Sequence, residues 1–396
     1  MIKKNLLYVS RAQEENIMRV IIIGGVAAGT SAAAKFRRVH KDAEIVIYEK
    51  NDIVSFGACG LPYFVGNFFE DSKNMIARTP EAFISSGVDV KTLHEVVNVD
   101  FDNKKVIVKD LKENREFEDY YDKLMIATGA SSIVPPIKNL DLKNVHTLKS
   151  MEDGIRLKEL FKDENNKNIV IIGAGFIGLE AVEAAKKYGK KVSVFQLADR
   201  ILQDVFDKEI TDILEEELRN HNVDLYLQES VTEIIGDKKV NRVKTANREI
   251  EADIVIIATG VKPNTKFLNN SNLKMLPNGA IIVDNYGKTS IDDVYSAGDC
   301  ATITQIVTGE KSYVPLATGA NKLGRIVGEN LAGANIEFQG SLSSSCIKVM
   351  DMEAGRTGIT ESKAKSLNLN YKTVFINDMN TTNYYPGQSK IYKINL

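Results

Sequence analysis

Two stretches of the 396-residue chain repeat one pattern, and that repeat restricts the possible folds more than any other feature. RVIIIGGVAAGTSAAAKFRR (residues 19–38) runs from an apolar, β-branched segment through a glycine turn into helix formers. NIVIIGAGFIGLEAVEAAKKYG (residues 168–189) has the same layout, with Gly173 standing where the first copy has Gly24. Each copy is followed by a further strand-like segment, EIVIYEK (residues 44–50) and KVSVFQ (residues 191–196). Strand, tight turn, helix and second strand make a βαβ unit, which builds a parallel sheet covered by helices. The chain is therefore read as α/β, with the unit present twice.

The turn explains the glycines. It lets backbone N–H groups approach a pyrophosphate, and the helix N-terminus adds partial positive charge. The second copy fits G-x-G-x-x-G with Gly173, Gly175 and Gly178; the first keeps Gly24 and Gly29 but holds Val26 in the middle. One such fingerprint is weak evidence, and two in strand–turn–helix context are strong evidence for two Rossmann-like dinucleotide-binding domains. The competing reading is a pair of Gly-rich turns that hold no ligand, and the duplication weighs against it. The residue ending the second strand contacts the adenosine ribose, and it is Glu49 in the first copy and Gln196 in the second. A carboxylate accepts from ribose hydroxyls and repels a 2′-phosphate, so the first site reads as an unphosphorylated dinucleotide. Gln196 repels less, which leaves NADH or NADPH for the second. Arg200 is either a partner for that phosphate or a surface charge.

A second duplication supports this. LMIATGA (residues 124–130) and VIIATGV (residues 255–261) are apolar strands ending in Ala-Thr-Gly, where Gly129 and Gly260 permit tight turns. In VYSAGDCA a strand ends in Gly298-Asp299 ahead of an expected helix, so Asp299 is either a helix cap or a cofactor ligand. The cofactor-binding candidates are Gly24, Gly25, Ala28, Gly29, Glu49, Lys50, Ser55, Thr128, Gly129, Gly173, Gly175, Phe176, Ile177, Gly178, Glu180, Gln196, Gly260, Gly298 and Asp299.

Composition excludes several classes. Lys plus Arg number 51 against 53 Asp plus Glu, a formal net charge of −2, which gives no basic footprint for nucleic acid. No apolar run approaches the ~20 residues that span a bilayer. Three cysteines argue against a secreted disulfide framework and for a cytoplasmic protein. None of the four histidines lies in a recognisable motif, and no metal ligands are assigned. Residues 1–17 read as a disordered leader. Residues 18–145 and 265–340 are expected to form one dinucleotide-binding domain, 146–264 the other, and 341–396 an α+β C-terminal piece.

These pieces together resemble the pyridine-nucleotide disulfide oxidoreductases, over residues 18–396. Ser55-Phe56-x-x-Cys59 points to the single-cysteine branch, which includes coenzyme A disulfide reductases, NADH oxidases and NADH peroxidases. GGVAAGTSAAA, SFGACGLPYFVG and NYYPG look most like the coenzyme A disulfide reductases. The resemblance implies FAD on the first unit, with Asp299 at a ribityl hydroxyl, and NAD(P)H on the second, with Phe176, Ile177 and Glu180 close to the nicotinamide. It also implies an external partner for Cys59: a small-molecule disulfide or coenzyme A thiol, or oxygen in a sulfenic acid. Read alone, Cys59 is either a buried structural thiol or a nucleophile activated at a helix start.

Peroxidases and oxidases of the branch usually carry a histidine in the first glycine turn, where this chain has Ala27. A disulfide reductase needs an acid near the leaving thiol, and Tyr384 and Tyr385 match that tyrosine region. Their alternative role is as interface aromatics. Lys35, Arg37, Arg38 and Arg78 either meet phosphates of coenzyme A or form a solvated face. The resemblance further implies a homodimer through the C-terminal domain. Two departures are Ala58, where the reductases often have Asn, and the end at Leu396, before the expected end of an interface domain. The implied activity is FAD-dependent NAD(P)H reduction of coenzyme A disulfide. An NADH oxidase or peroxidase, a polysulfide reductase, and a truncated flavoprotein without turnover are the competing readings.

Overall fold

A computed structural model describes residues 17–382, 384 and 391–395, so the assignments of residues 1–16 as a leader and of Tyr385 as a proton donor lie outside the described residues. The chain divides into two compact units. The first runs to Gly57, then takes in Met75–Ser131 and Lys262–Ser341; the second comprises Ala58–Asn74, Ser132–Val261 and the chain from Leu342 onward.

The first unit is built on a five-stranded sheet in the order Val294–Ser296, Lys123–Ile126, Arg19–Ile23, Glu44–Glu49, Asp89–Thr92, all parallel. Strand Arg19–Ile23 is buried along nearly its whole length, as a parallel strand covered on both faces must be. Helix Ala27–Val39 covers one face and lies against helix Ala317–Leu331. Glycines allow that close approach: a Cβ at Gly324 would stand 2.6 Å from the Ala28 carbonyl oxygen, and one at Gly328 would collide with the Ala32 carbonyl. A separate antiparallel sheet, His94–Asp100, Lys105–Asp110 and Arg115–Tyr120, completes the unit.

The second unit repeats the plan. Its parallel sheet has the order Val223–Leu227, Lys191–Gln196, Asn168–Ile172, Ile254–Ile257, Val145–His146. Helix Phe176–Lys187 follows the central strand, and short helix Leu61–Val65 packs on it and on helix Met151–Lys162. Gly154 leaves room for Leu61, and the buried Lys158 donates to the Phe69 carbonyl (2.8 Å) beneath the Phe64 ring. Hairpin Ser345–Val349/Met352–Arg356 packs on helices Phe176–Lys187 and Lys208–Asn220. A further hairpin pairs Phe375–Met379 with Ile391–Asn395. No helix of the described residues is long and apolar enough to cross a membrane.

Candidate cofactor and redox sites

In the first unit the carboxyl ends of the parallel strands converge on the glycine turn, where open α/β sheets place their ligands. Gly24 has φ +107°, and a Cβ there would collide with the Ala127 carbonyl; a Cβ at Gly29 would collide with the Gly24 carbonyl. The turn is closed by Glu49, 4 % exposed, whose Oε2 accepts from the Gly25 N–H (2.7 Å). Its other oxygen accepts from the Asn51 N–H (2.9 Å) and side-chain amide (2.8 Å). Ser55 sits in the left-handed region at φ 51°, donating its N–H to the Gly25 carbonyl (2.8 Å) and accepting from the Ala77 N–H (2.8 Å). Thr128 and Gly129 stand at the end of strand Lys123–Ile126, held by Asn264, which donates to both carbonyls. Gly298, at φ +89°, brings its backbone against Ala28, leaving 3.0 Å to the Ala28 Cβ for an added methyl. Lys50 is exposed beside this group.

One expectation fails here. No helix follows Asp299: the chain turns, with the Ala301 N–H on the Gly298 carbonyl (3.0 Å), and the next helix starts at Ala317. The backbone there is paired elsewhere: the Cys300 carbonyl accepts from the Ile281 N–H (2.9 Å) and the Thr302 N–H donates to the Ile281 carbonyl (2.9 Å), while the buried Cys300 thiol reaches the Ile126 carbonyl (3.5 Å). Asp299 is therefore not a helix cap.

The second turn copies the first. Gly173 has φ +104° and faces the Ala258 carbonyl, and Gly178 backs onto the Gly173 carbonyl. Gln196 replaces Glu49: its Oε1 accepts from the Ala174 N–H (3.1 Å), and its amide donates to the Arg200 carbonyl (3.4 Å). Arg200 donates to the Gln203 carbonyl (3.1 Å). Gly260, at φ +106°, follows the end of the neighbouring strand Ile254–Ile257. Gly175 differs from the other two: among the described residues, nothing lies within 4 Å of where its Cβ would stand. That open space beside the N-terminus of helix Phe176–Lys187 fits a pyrophosphate, and Phe176 and Ile177 open that helix.

On the same helix, burial pushes the Glu180 carboxyl up to about 7, with Glu183 adding to the shift. Tyr63 is near both acids, and burial followed by their charges raises its phenol. Tyr63 lies one helical turn beyond Cys59, which is exposed in the 3₁₀ turn Ala58–Gly60 ahead of helix Leu61–Val65. Its exposure removes the buried-thiol reading. Cys346 is also exposed, and Tyr384 is 86 % exposed.

The basic candidates separate. Lys35 and Arg38 line a cavity of about 320 Å³ in the first unit together with Arg325, Ile326 and Glu329, with Lys35 paired to Glu329. Arg37 instead donates to the Ala43 (2.6 Å) and Gly87 (2.5 Å) carbonyls and is a structural tie. Arg78 donates to the Ala82 carbonyl (2.6 Å) and lies over the Phe83 ring. Arg325 was missed by the sequence reading. The only signal for it was the Gly324-x-x-x-Gly328 spacing, which lets its helix close on helix Ala27–Val39.

Comparison with known proteins agrees with this geometry. The family model for pyridine nucleotide-disulphide oxidoreductases matches residues 18–324. A CoA-dependent NAD(P)H sulfur oxidoreductase of Pyrococcus abyssi is 39 % identical over 374 residues, 94 % of this chain and 82 % of that protein. A coenzyme A disulfide reductase of Staphylococcus aureus is 31 % identical, over 94 % of this chain and 84 % of that one. The solved structure of a water-forming NADH oxidase from Lactobacillus brevis, bound to NADH, superposes with a TM-score of 0.92 at 34 % identity, covering 96 % of this chain and 83 % of that one. With a match across more than half its length, the chain belongs to the pyridine nucleotide-disulphide oxidoreductase family of enzymes.

Proposed function

We propose that this oxidoreductase reduces a coenzyme A-linked disulfide or persulfide with NAD(P)H, using FAD and a single redox cysteine, Cys59. The observation that carries this is the exposed Cys59 thiol on the Ser55 loop. Ser55 is locked to the first glycine turn, and four residues of chain span at most about 14 Å. The first turn fits FAD, through Gly24, Gly25, Ala28, Gly29, Glu49, Ser55, Thr128, Gly129, Gly298 and Asp299. The second fits NADH or NADPH, through Gly173, Gly175, Gly178, Gln196 and Gly260. Bound FAD would relay an electron pair from nicotinamide to sulfur.

The cysteine does the rest. The Cys59 thiolate attacks one sulfur of the substrate, forming a mixed disulfide and expelling a thiolate that takes up a proton. Two electrons and a second proton then cleave the mixed disulfide, release the second thiol and restore Cys59. The balance is NAD(P)H, H⁺ and one disulfide giving NAD(P)⁺ and two thiols. Tyr384 and Tyr385 supply the proton donor for the leaving thiol. Lys35, Arg38 and Arg325 receive coenzyme A phosphates in their cavity, where Arg offers bidentate donors. The exposed apolar side chains Val374, Phe375, Ile376 and Met379 favour burial against a second copy, hence a homodimer through the C-terminal segment.

The likeness to a water-forming NADH oxidase supports a second reading, with oxygen as acceptor. One experiment separates the two. NADH and NADPH oxidation is followed anaerobically with coenzyme A disulfide, coenzyme A persulfide or polysulfide, and then with oxygen alone. Sulfur acceptors should give the faster turnover, and Cys59→Ser should abolish it while keeping the flavin spectrum. Full sulfur reduction by Cys59→Ser would overturn the cysteine mechanism, and turnover with oxygen alone would select the oxidase.

A further inference from the structure

The second unit holds a side-chain cluster that the redox reading does not use. His221 caps the end of helix Lys208–Asn220, and its Nδ1 lies 3.0 Å from the Glu217 carbonyl oxygen one turn back. When Nδ1 donates its N–H there, Nε2 carries the lone pair. Nε2 faces the Asp351 Oδ2 at 3.3 Å, across from the hairpin turn between Val349 and Met352. Two lone-pair atoms facing one another repel unless a cation lies between them. A proton is one candidate and a metal ion is the other.

We infer that Glu217, His221 and Asp351 form a site for a divalent transition-metal ion of the Zn²⁺ kind, clamping the hairpin turn to the helix end. One ligand atom from each residue lies within 4.8 Å of the other two. Two ligands bonded to zinc at ~2.0–2.1 Å in a tetrahedron stand about 3.3 Å apart, the separation found between His221 and Asp351. The ring N–H on a backbone carbonyl is the orienting bond that metal-ligating histidines make. Glu217 Oε1 accepts from the Asp351 N–H (2.9 Å) and lies 3.4 Å from His221 Nδ1, which holds the turn in place beside the ring. Imidazole with two carboxylates brings a charge of −2 to a 2+ ion. Of the neighbouring lysines, Lys348 pairs with Glu183 and also feels the Asp351 charge, Lys187 lies over the Phe68 ring, and Lys186 reaches the Asn222 carbonyl. Asp351 is largely exposed, so the ion has access from solvent.

The test is calorimetric titration of Zn²⁺ into the full-length flavoprotein, with Cys59→Ser/Cys346→Ser as the control for thiol binding. One equivalent should bind in that control and be lost, or weakened ~10-fold or more, in His221→Gln and in Asp351→Asn made on the same background. Near-ultraviolet and flavin spectra check that each variant is folded. No binding in the control, or binding untouched by both substitutions, overturns the metal site.

Discussion

The two glycine turns are copies of one device, and where they agree and differ separates architecture from ligand contact. Gly24 and Gly173 share a positive φ, +107° and +104°, and each lies against a carbonyl of the adjacent strand, Ala127 or Ala258. Gly29 and Gly178 each back onto the carbonyl of the first glycine. These positions are glycine because the backbones cross too closely for a side chain. The middle position is not so constrained: Val26 occupies it in one unit, and Gly175 faces open space in the other. The closing side chain also differs, a buried carboxylate in Glu49 and a neutral amide in Gln196. What both copies keep, the fold requires; what differs is not set by that close packing.

The sharpest way to break this comparison is to put a methyl group on the shared glycines. Gly24→Ala and Gly173→Ala each force a carbonyl clash and a left-handed φ on a residue with a Cβ, at a cost of about 3 kcal/mol or more. Gly24→Ala should yield protein purified without flavin absorbance and with a lowered melting temperature. Gly173→Ala should keep its flavin spectrum and lose reduction by NADH, followed at the flavin band under anaerobic conditions. Loss of flavin from both variants would mean that the two units do not divide the cofactors.

The middle positions give the next effect. Gly175→Val copies the first turn into the second, and among the described residues nothing lies within 4 Å of the new Cβ. It should fold normally and raise the KM for NADH about 10-fold or more, because the valine fills the space proposed for the pyrophosphate. Val26→Gly should change flavin content little. Equal effects in the two units would show that the middle position serves packing after all.

Much of this was legible in the sequence, because the repeated strand, turn and helix obey local steric rules. Gly24, Gly29, Gly173 and Gly178 were assigned from pattern, and the structure shows why each must be glycine. What failed depended on distant partners. A helix was expected after Asp299, but the backbone of Cys300 and Thr302 pairs with Ile281 on another segment and the chain turns instead. Lys35, Arg37 and Arg38 looked alike in sequence. Only the approach of helix Ala317–Leu331 sorts them, putting Lys35 and Arg38 with Arg325 in a cavity and leaving Arg37 to carbonyls. The cluster of Glu217, His221 and Asp351 is likewise invisible until a hairpin brings positions 221 and 351 together.

A smaller effect sharpens the closing-residue contrast. Gln196→Glu gives the second turn the carboxylate of the first, placed where the adenosine ribose is expected. It should lower kcat/KM for NADPH about 10-fold by repelling the 2′-phosphate, and leave NADH within about threefold. A parallel drop for both nucleotides would show that the substitution disturbs the turn through the Ala174 N–H rather than the phosphate.

The smallest effect concerns a group that the first unit lacks at the matching point of its helix. Glu180, on helix Phe176–Lys187, has its carboxyl raised from 4.5 to about 7 by burial and by Glu183. A raised carboxyl means that the folded state binds a proton more tightly than the unfolded chain does. This contribution is therefore fully present below about pH 4.5 and is lost as the pH rises through about 7, where the buried group must ionise. Glu180→Gln removes that titration. Relative to the parent, the variant should gain roughly 1–2 kcal/mol at pH 8 and little or nothing at pH 5, measured as urea midpoints at both values. A gain of equal size at both pH values would trace the effect to packing and not to charge. A loss at pH 8 would mean that the ionised carboxylate has a partner in the folded chain.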